Sequence, residues 1–226
     1  MRVKVWDLPT RVFHWVLACA VAGSLVTALL GGNLMEWHGR IGLLIFGLLV
    51  FRLVWGMIGS TYARFSSFAP TPRGLLDYLA GRWTGLGHSP LGALSVFALL
   101  ALMLWQASTG LFSNDDIAFD GPLTALLDKS LSDQITGLHR QGLWIIVGLV
   151  SLHVAAVMFY VFARGNDLIR PMLRGWKESS LDAPLERAPA WALPVAVAVA
   201  VLAVWVAAGG LIEPPPPPPP QALPAW

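Results

Sequence analysis

Apolar and polar positions fall in long blocks along this chain rather than alternating with a helical or strand period. Five apolar runs stand out, at 12–30, 38–58, 91–112, 139–164 and 191–212, with no Asp or Glu inside any of them. A helix needs about 20 apolar residues to cross a hydrocarbon core about 30 Å thick, so each run predicts a membrane-spanning helix. Pro9 suits a first helical turn, where its missing N–H costs nothing. Gly31-Gly32-Asn33 is a turn signal, and the short link it makes predicts antiparallel first and second helices. Residues 59–90 carry Pro70, Pro72 and Pro90 and read as a loop with a short amphipathic helix near 73–83. Residues 113–136 read as a loop with five aspartates, and 165–190 as a polar, basic connector. Glu213, seven consecutive prolines and the sequence QALPAW end the chain, the prolines favouring a stiff polyproline spacer.

Composition agrees with this pattern. The chain is 56% hydrophobic and 12% charged, against about 25% charged in a soluble domain. A net charge of +2 gives no footprint for nucleic-acid binding. The single cysteine, Cys19, excludes a disulfide framework, a zinc cluster and a C-x-x-C-H covalent haem site, and reads as a small packing residue. The first run is longer than a signal-peptide core and lacks an A-x-A cleavage site, so it reads as a retained helix. Eleven basic residues lie in 1–11, 59–90 and 164–190, whereas the alternate connections carry Lys129, with Arg40 and Arg140 at helix starts. Positive residues stay inside, which predicts a cytoplasmic N-terminus, an external 113–136 loop and a periplasmic tail. Trp6, Trp15, Trp37 and Trp83 mark the membrane interfaces.

The candidate chemistry lies in the histidines. His139 and His153 are fourteen residues apart in one run, so on a helix both leave nearly the same face, about 21 Å apart along the axis. Sorted by depth, His14 matches His153 and His38 matches His139. Neutral imidazoles are good iron ligands, and two axial imidazoles give six-coordinate haem iron suited to electron transfer. Intramembrane ionisable groups are functional by default, and depth-matched pairs on three helices predict two haems stacked across the membrane. Arg52 is fourteen residues from His38 and predicts a propionate partner for the cytoplasmic haem, with Arg11 a second candidate; Arg40 and Arg140 sit beside the external ligands. Snorkelling to headgroups is the competing role for Arg11, Arg40 and Arg140. Gly39, Gly42 and Gly142 leave room for a flat macrocycle or for helix packing. His88, in a Gly/Ser/Pro loop, reads as a surface residue.

At VWDLPTRVFHW, WHGRIG, FRLVWGMIGSTYARF and the two histidines of GLHRQGLWIIVGLVSLH the chain resembles the bacterial b-type cytochromes of the cytochrome b561 and nickel–iron hydrogenase/formate dehydrogenase subunit group, over about residues 3–165. The resemblance implies a four-helix core, two non-covalent b haems on His14, His38, His139 and His153, and electron transfer between quinone and a redox partner.

The expected fold is therefore an all-α integral membrane protein. It comprises a di-haem four-helix domain at 1–165, a cytoplasmic linker at 166–190, a fifth transmembrane helix at 191–212 and a periplasmic tail at 213–226. The expected function is electron transfer across the bacterial inner membrane between the quinone pool and a periplasmic partner such as a c-type cytochrome. The acidic 113–136 loop is a candidate docking surface for a basic carrier. A membrane-anchor subunit of a periplasmic hydrogenase or dehydrogenase is the alternative. A histidine-based metal or proton transporter is remoter, because transporters also place carboxylates in the membrane. A purely structural anchor leaves the histidine pairs unexplained. Ser60, Tyr62, Arg64 and His88 are the polar candidates for a quinone site.

Overall fold

The structure is a computed structural model that describes residues 2–117, 119–178 and 186–212. Four long helices form the bundle. The first, α1 (Leu8–Leu30), starts where the Asp7 carboxylate accepts from Thr10 N, with Pro9 in the first turn, and it ends at Gly31, whose φ of 63° only glycine adopts easily. A 3₁₀ turn leads into α2 (Met35–Ile58). The expected amphipathic segment is α3 (Pro72–Leu79), capped by Thr71. Ser89 caps α4 (Pro90–Gly110).

The fourth long helix, α5 (Lys129–Phe162), has 34 residues and begins ten residues before the expected apolar run. Asp128 caps it, and a polar network holds the extra turns. Asn114 Nδ2 donates to Ser132 Oγ (2.7 Å) and Asp133 Oδ1 (2.9 Å), Asn114 N donates to Thr136 Oγ1 (3.0 Å), and Ser132 Oγ donates to Phe112 O (2.8 Å). The 113–136 loop is thus shorter than its polarity suggested, since polar residues continue the helix once their side chains have partners outside the membrane.

The 166–190 connector is not a free linker. It contains α6 (Ile169–Arg174) and a strand, β2 (Trp176–Glu178), which pairs antiparallel with β1 (Arg2–Lys4). Arg11 Nη1 donates to Leu173 O, and Trp15 Nε1 to Met172 O (3.3 Å). These bonds clip the chain after α5 to the start of α1. The last described helix, α7 (Ala192–Ala207), has 16 residues, about 24 Å at 1.5 Å per residue. It is shorter than the expected 191–212 run and continues as turns to Leu211. Its buried Ala192, Ala196 and Ala200, spaced four residues apart, form a row against α2, where Gly47 leaves space for Val204. The proline tail lies outside the described residues.

In the bundle, α1 packs on α2, α2 on α4, and α4 on α5. The mid-bundle core joins Ala20, Ile45, Leu49, Met103 and Ile146, one contribution or more from each long helix. Close backbone packing of α5 is to α4, so α5 faces α1 and α2 across a looser seam. That seam carries the histidines.

Candidate functional site

His38 (α2) and His139 (α5) meet across the seam with ring centroids 6.1 Å apart and planes at 85°. Two imidazoles on opposite sides of one metal, with metal–nitrogen bonds of about 2 Å, have ring centres roughly 6.3 Å apart. Each ring can turn about its own metal–nitrogen bond, so perpendicular planes are compatible with this. His38 Nδ1 is 3.0 Å from Ser24 O, and His139 Nδ1 is 3.1 Å from Gln106 O. A carbonyl only accepts, so both Nδ1 atoms carry the proton and both Nε2 lone pairs are left for a ligand. This is how a metal-binding histidine is usually oriented.

The second pair lies on the other side of the apolar core. His14 (α1) and His153 (α5) are close enough to interact electrostatically. Ser95 Oγ lies 3.4 Å from His153 Nδ1. His14 Nδ1 is buried and has no protein partner among the described residues. Ile146, midway between His139 and His153, belongs to the core that separates the pairs. Among the described residues these four histidines stand in pairs, and no three His, Cys, Asp or Glu cluster as a metal site. His38 with His139, whose Nε2 atoms are both free, and His14 with His153 are the residues that would hold b haems, which would supply one-electron iron chemistry.

The family model for prokaryotic cytochrome b561 matches residues 5–175. The chain belongs to the prokaryotic cytochrome b561 family. It is 24% identical over 211 residues to a probable Ni/Fe-hydrogenase B-type cytochrome subunit of Rhizobium leguminosarum bv. viciae, with 76% of this chain and 87% of the relative covered. It is 22% identical over 212 residues to a probable Ni/Fe-hydrogenase 1 B-type cytochrome subunit of Escherichia coli (strain K12), covering 76% and 89%. A probable Ni/Fe-hydrogenase B-type cytochrome subunit of Azotobacter vinelandii is 22% identical over 223 residues, covering 80% and 91%. No solved structure matches the chain. This is a multi-pass membrane b-type cytochrome.

The arginines of this b-type cytochrome divide. Arg52 is 3% exposed, donates from Nη1 to Ala63 O (3.0 Å), and lies 4.7 Å over the Phe65 ring. Asp7 balances its charge at longer range. Asp7 itself accepts from Thr10 N (2.8 Å), Trp55 Nε1 (3.0 Å) and Ser60 Oγ (2.5 Å), tying the ends of α1 and α2 together. Arg11 Nη1 donates to Leu173 O of α6, which fixes this side chain against the connector. Arg40 is exposed and paired with Glu36, and Arg140 is exposed one residue from His139.

The glycines also sort. Gly39 faces Phe119, and Gly142 faces Gln106 and Trp105, so these two serve protein packing rather than a macrocycle, whereas Gly42 faces open space. Gly110 is the close neighbour of a candidate ligand: a Cβ there would lie 2.9 Å from His139 Cε1. Gly110→Ala should turn the imidazole away from Gln106 O and weaken haem retention at that pair by about 10–100-fold. Gly148→Ala, whose Cβ would meet nothing within 4 Å, should leave retention unchanged. Haem titration of the two variants makes the comparison.

His88 is not a surface residue. Its ring packs between Trp6 (4.6 Å) and Phe68 (4.2 Å), and its Nδ1 is buried. Burial, and then the Arg52 guanidinium, hold its pKa at about 3, below the ordinary 6.5. The unfolded ring takes a proton as pH falls through 6.5 and the folded ring does not until about 3, so stability drops across that window. Thermal melts at pH 7 and pH 5 should show this slope, and His88→Phe should flatten it. Of the quinone candidates, Tyr62 and His88 line a cavity of about 330 Å³ with Ser67, Thr71 and Trp83. Ser60 is committed to Asp7, and Arg64 pairs with Glu186 at 3.3 Å.

Sequence reasoning missed the residues that orient the histidines: Ser24, Ser95, Gln106 and Thr109. Their signal was polarity inside apolar runs, where a hydroxyl or amide needs a partner.

Proposed function

We propose that this cytochrome holds two b haems, one between His14 and His153 and one between His38 and His139, and carries electrons across the inner membrane. The observation that carries the reading is the His38–His139 pair, 6.1 Å between centroids with both Nδ1 atoms on carbonyls. When bound, a b haem supplies one-electron iron chemistry. The chain's own residues fix two imidazoles per site and keep water away with the apolar layer around Leu49 and Ile146. Arg52 remains the proposed neighbour of the His14–His153 haem, with Arg40 and Arg140 beside the other. Arg11 is the secondary candidate at the first.

The basic residues of 1–11, 59–90 and 164–190 support an orientation with the His14–His153 end toward the cytoplasm and the 113–128 loop outside. On that orientation the partners are a quinone at the cytoplasmic end, near the Tyr62–His88 cavity, and a periplasmic electron donor or acceptor at the other. The acidic 113–128 loop suits a basic c-type cytochrome; the relatives, named as hydrogenase cytochrome subunits, favour the second reading, a bound hydrogenase-type subunit. The expected result for purified protein is a reduced-minus-oxidised spectrum of six-coordinate b haem with two haems per chain. A well-folded chain that takes up no haem on reconstitution overturns the proposal.

A further inference from the structure

We propose that Tyr78, Tyr160 and Arg164 form a binding site for the phosphate of an anionic phospholipid, at the end of the bundle where α3 meets the last turn of α5.

Tyr78 lies on α3, and its hydroxyl hydrogen-bonds to that of Tyr160 on α5. Trp83 meets the Tyr78 ring edge-on at 6.0 Å. Tyrosine and tryptophan gather where the hydrocarbon core gives way to headgroups. Beside them α3 exposes Leu76 and Leu79, and the last turn of α5 exposes Phe159 and Phe162. These side chains suit the upper part of an acyl chain.

Two phenols carry two O–H donors. Whichever of them donates in the Tyr78–Tyr160 bond, the proton of the other has no acceptor among the described residues. Arg164 is within electrostatic reach of Tyr160, but a guanidinium only donates and cannot take that proton. Arg164 is exposed and held at the helix end by a closed turn, in which its own N–H donates to Phe159 O (3.2 Å) and Asn166 N to Tyr160 O (2.9 Å), with Gly165 at a φ of 64°. The carboxylates on either side are already engaged. Asp77 accepts from Arg82 Nε (3.1 Å) and Nη2 (2.7 Å), and Asp167 pairs with Arg170 Nε (3.1 Å). Arg164 has no carboxylate partner among the described residues.

A spare O–H beside an unpaired guanidinium calls for an anion that accepts from both, and the oxygens of a phosphate do so with charge-assisted bonds. The flanking apolar side chains make the source a lipid rather than a soluble phosphate. The surplus positive charge selects an anionic headgroup, because the cation of a choline headgroup would face Arg164.

The test is a titration of the purified full chain in detergent with phosphatidylglycerol, phosphatidylcholine or inorganic phosphate, read by native mass spectrometry. Phosphatidylglycerol should bind in preference to phosphatidylcholine, and inorganic phosphate should not displace it. Arg164→Gln should weaken phosphatidylglycerol about 5-fold or more, the worth of one cation near an anionic headgroup. Arg2→Gln, which removes an arginine stacked on Trp176, should bind as wild type does. Tyr78→Phe and Tyr160→Phe each keep one free O–H and should weaken binding less than the double variant, which should lose about 10-fold or more. Arg164→Gln leaves the phenol pair intact and so decides the matter if the double variant fails to fold. Equal binding of the two lipids, displacement by inorganic phosphate, or wild-type affinity in Arg164→Gln overturns the proposal. So does an equal loss in Arg164→Gln and Arg2→Gln, which is diffuse attraction. Single tyrosine variants as weak as the double overturn it too, since the phenols then only latch α3 to α5.

Discussion

His139→Ala should halve the haem bound per chain, and His38→Ala should remove the same haem. On the proposed assignment the two rings, 6.1 Å apart, hold one haem, so either loss would leave that haem a single protein ligand. His14→Ala and His153→Ala should together identify the other haem. Combining two substitutions within a pair should cost little beyond the first, because the shared ligand is already gone, whereas one substitution in each pair should leave no stable haem. Haem content of purified variants and their low-temperature visible spectra report this directly. Expression needs checking first, because a ligand that binds only the folded chain also stabilises it. If His38→Ala and His139→Ala lose different haems, or if His139→Ala and His153→Ala lose the same one, the pairing is wrong.

The second large effect should come from Arg52→Leu. Arg52 is 3% exposed, bonded to Ala63 O and seated on Phe65, with Asp7 and His88 within electrostatic reach. Removing one member of a buried charged network typically costs about 3–5 kcal/mol, because its partners stay buried without it. The thermal midpoint of the solubilised protein should fall accordingly. The potential of the His14–His153 haem should also fall, and that of the other haem should not. Arg52→Lys keeps the charge but not the planar fork, so it should recover the potential more fully than the stability. An unchanged potential in Arg52→Leu, or equal shifts at both haems, would remove Arg52 from the haem site and leave it a structural clamp between α2 and the 60–65 loop.

Several features were legible in the sequence because the interactions that set them are local. The four long helices follow from run length alone, since an uninterrupted apolar stretch of that size has few ways to satisfy its backbone except as a helix. Pro9, which suits a first helical turn, lies in the first turn of α1. The His139–His153 spacing fixes a common face by helical geometry, and the depth match of His38 with His139 became a contact.

Tertiary structure decided the rest. The apolar pattern does not reach 129–136; beyond the Asp128 cap, Asn114, arriving from α4, supplies the partners that let those polar turns continue. Nothing local to His88 says it is buried; Trp6 and Phe68 come from distant positions to enclose it. Arg11 looked like an interfacial cation until α6 offered a carbonyl. The docking of α7 on α2 depends on an alanine row meeting Gly47, a match between two surfaces that neither helix encodes alone. The residues that orient the imidazoles are of the same kind: Gln106 and Thr109 reach His139 from the neighbouring helix, through a register that only packing fixes. A single chain's periodicity states which face of a helix is special, and the energy of that face depends on the helix packed against it.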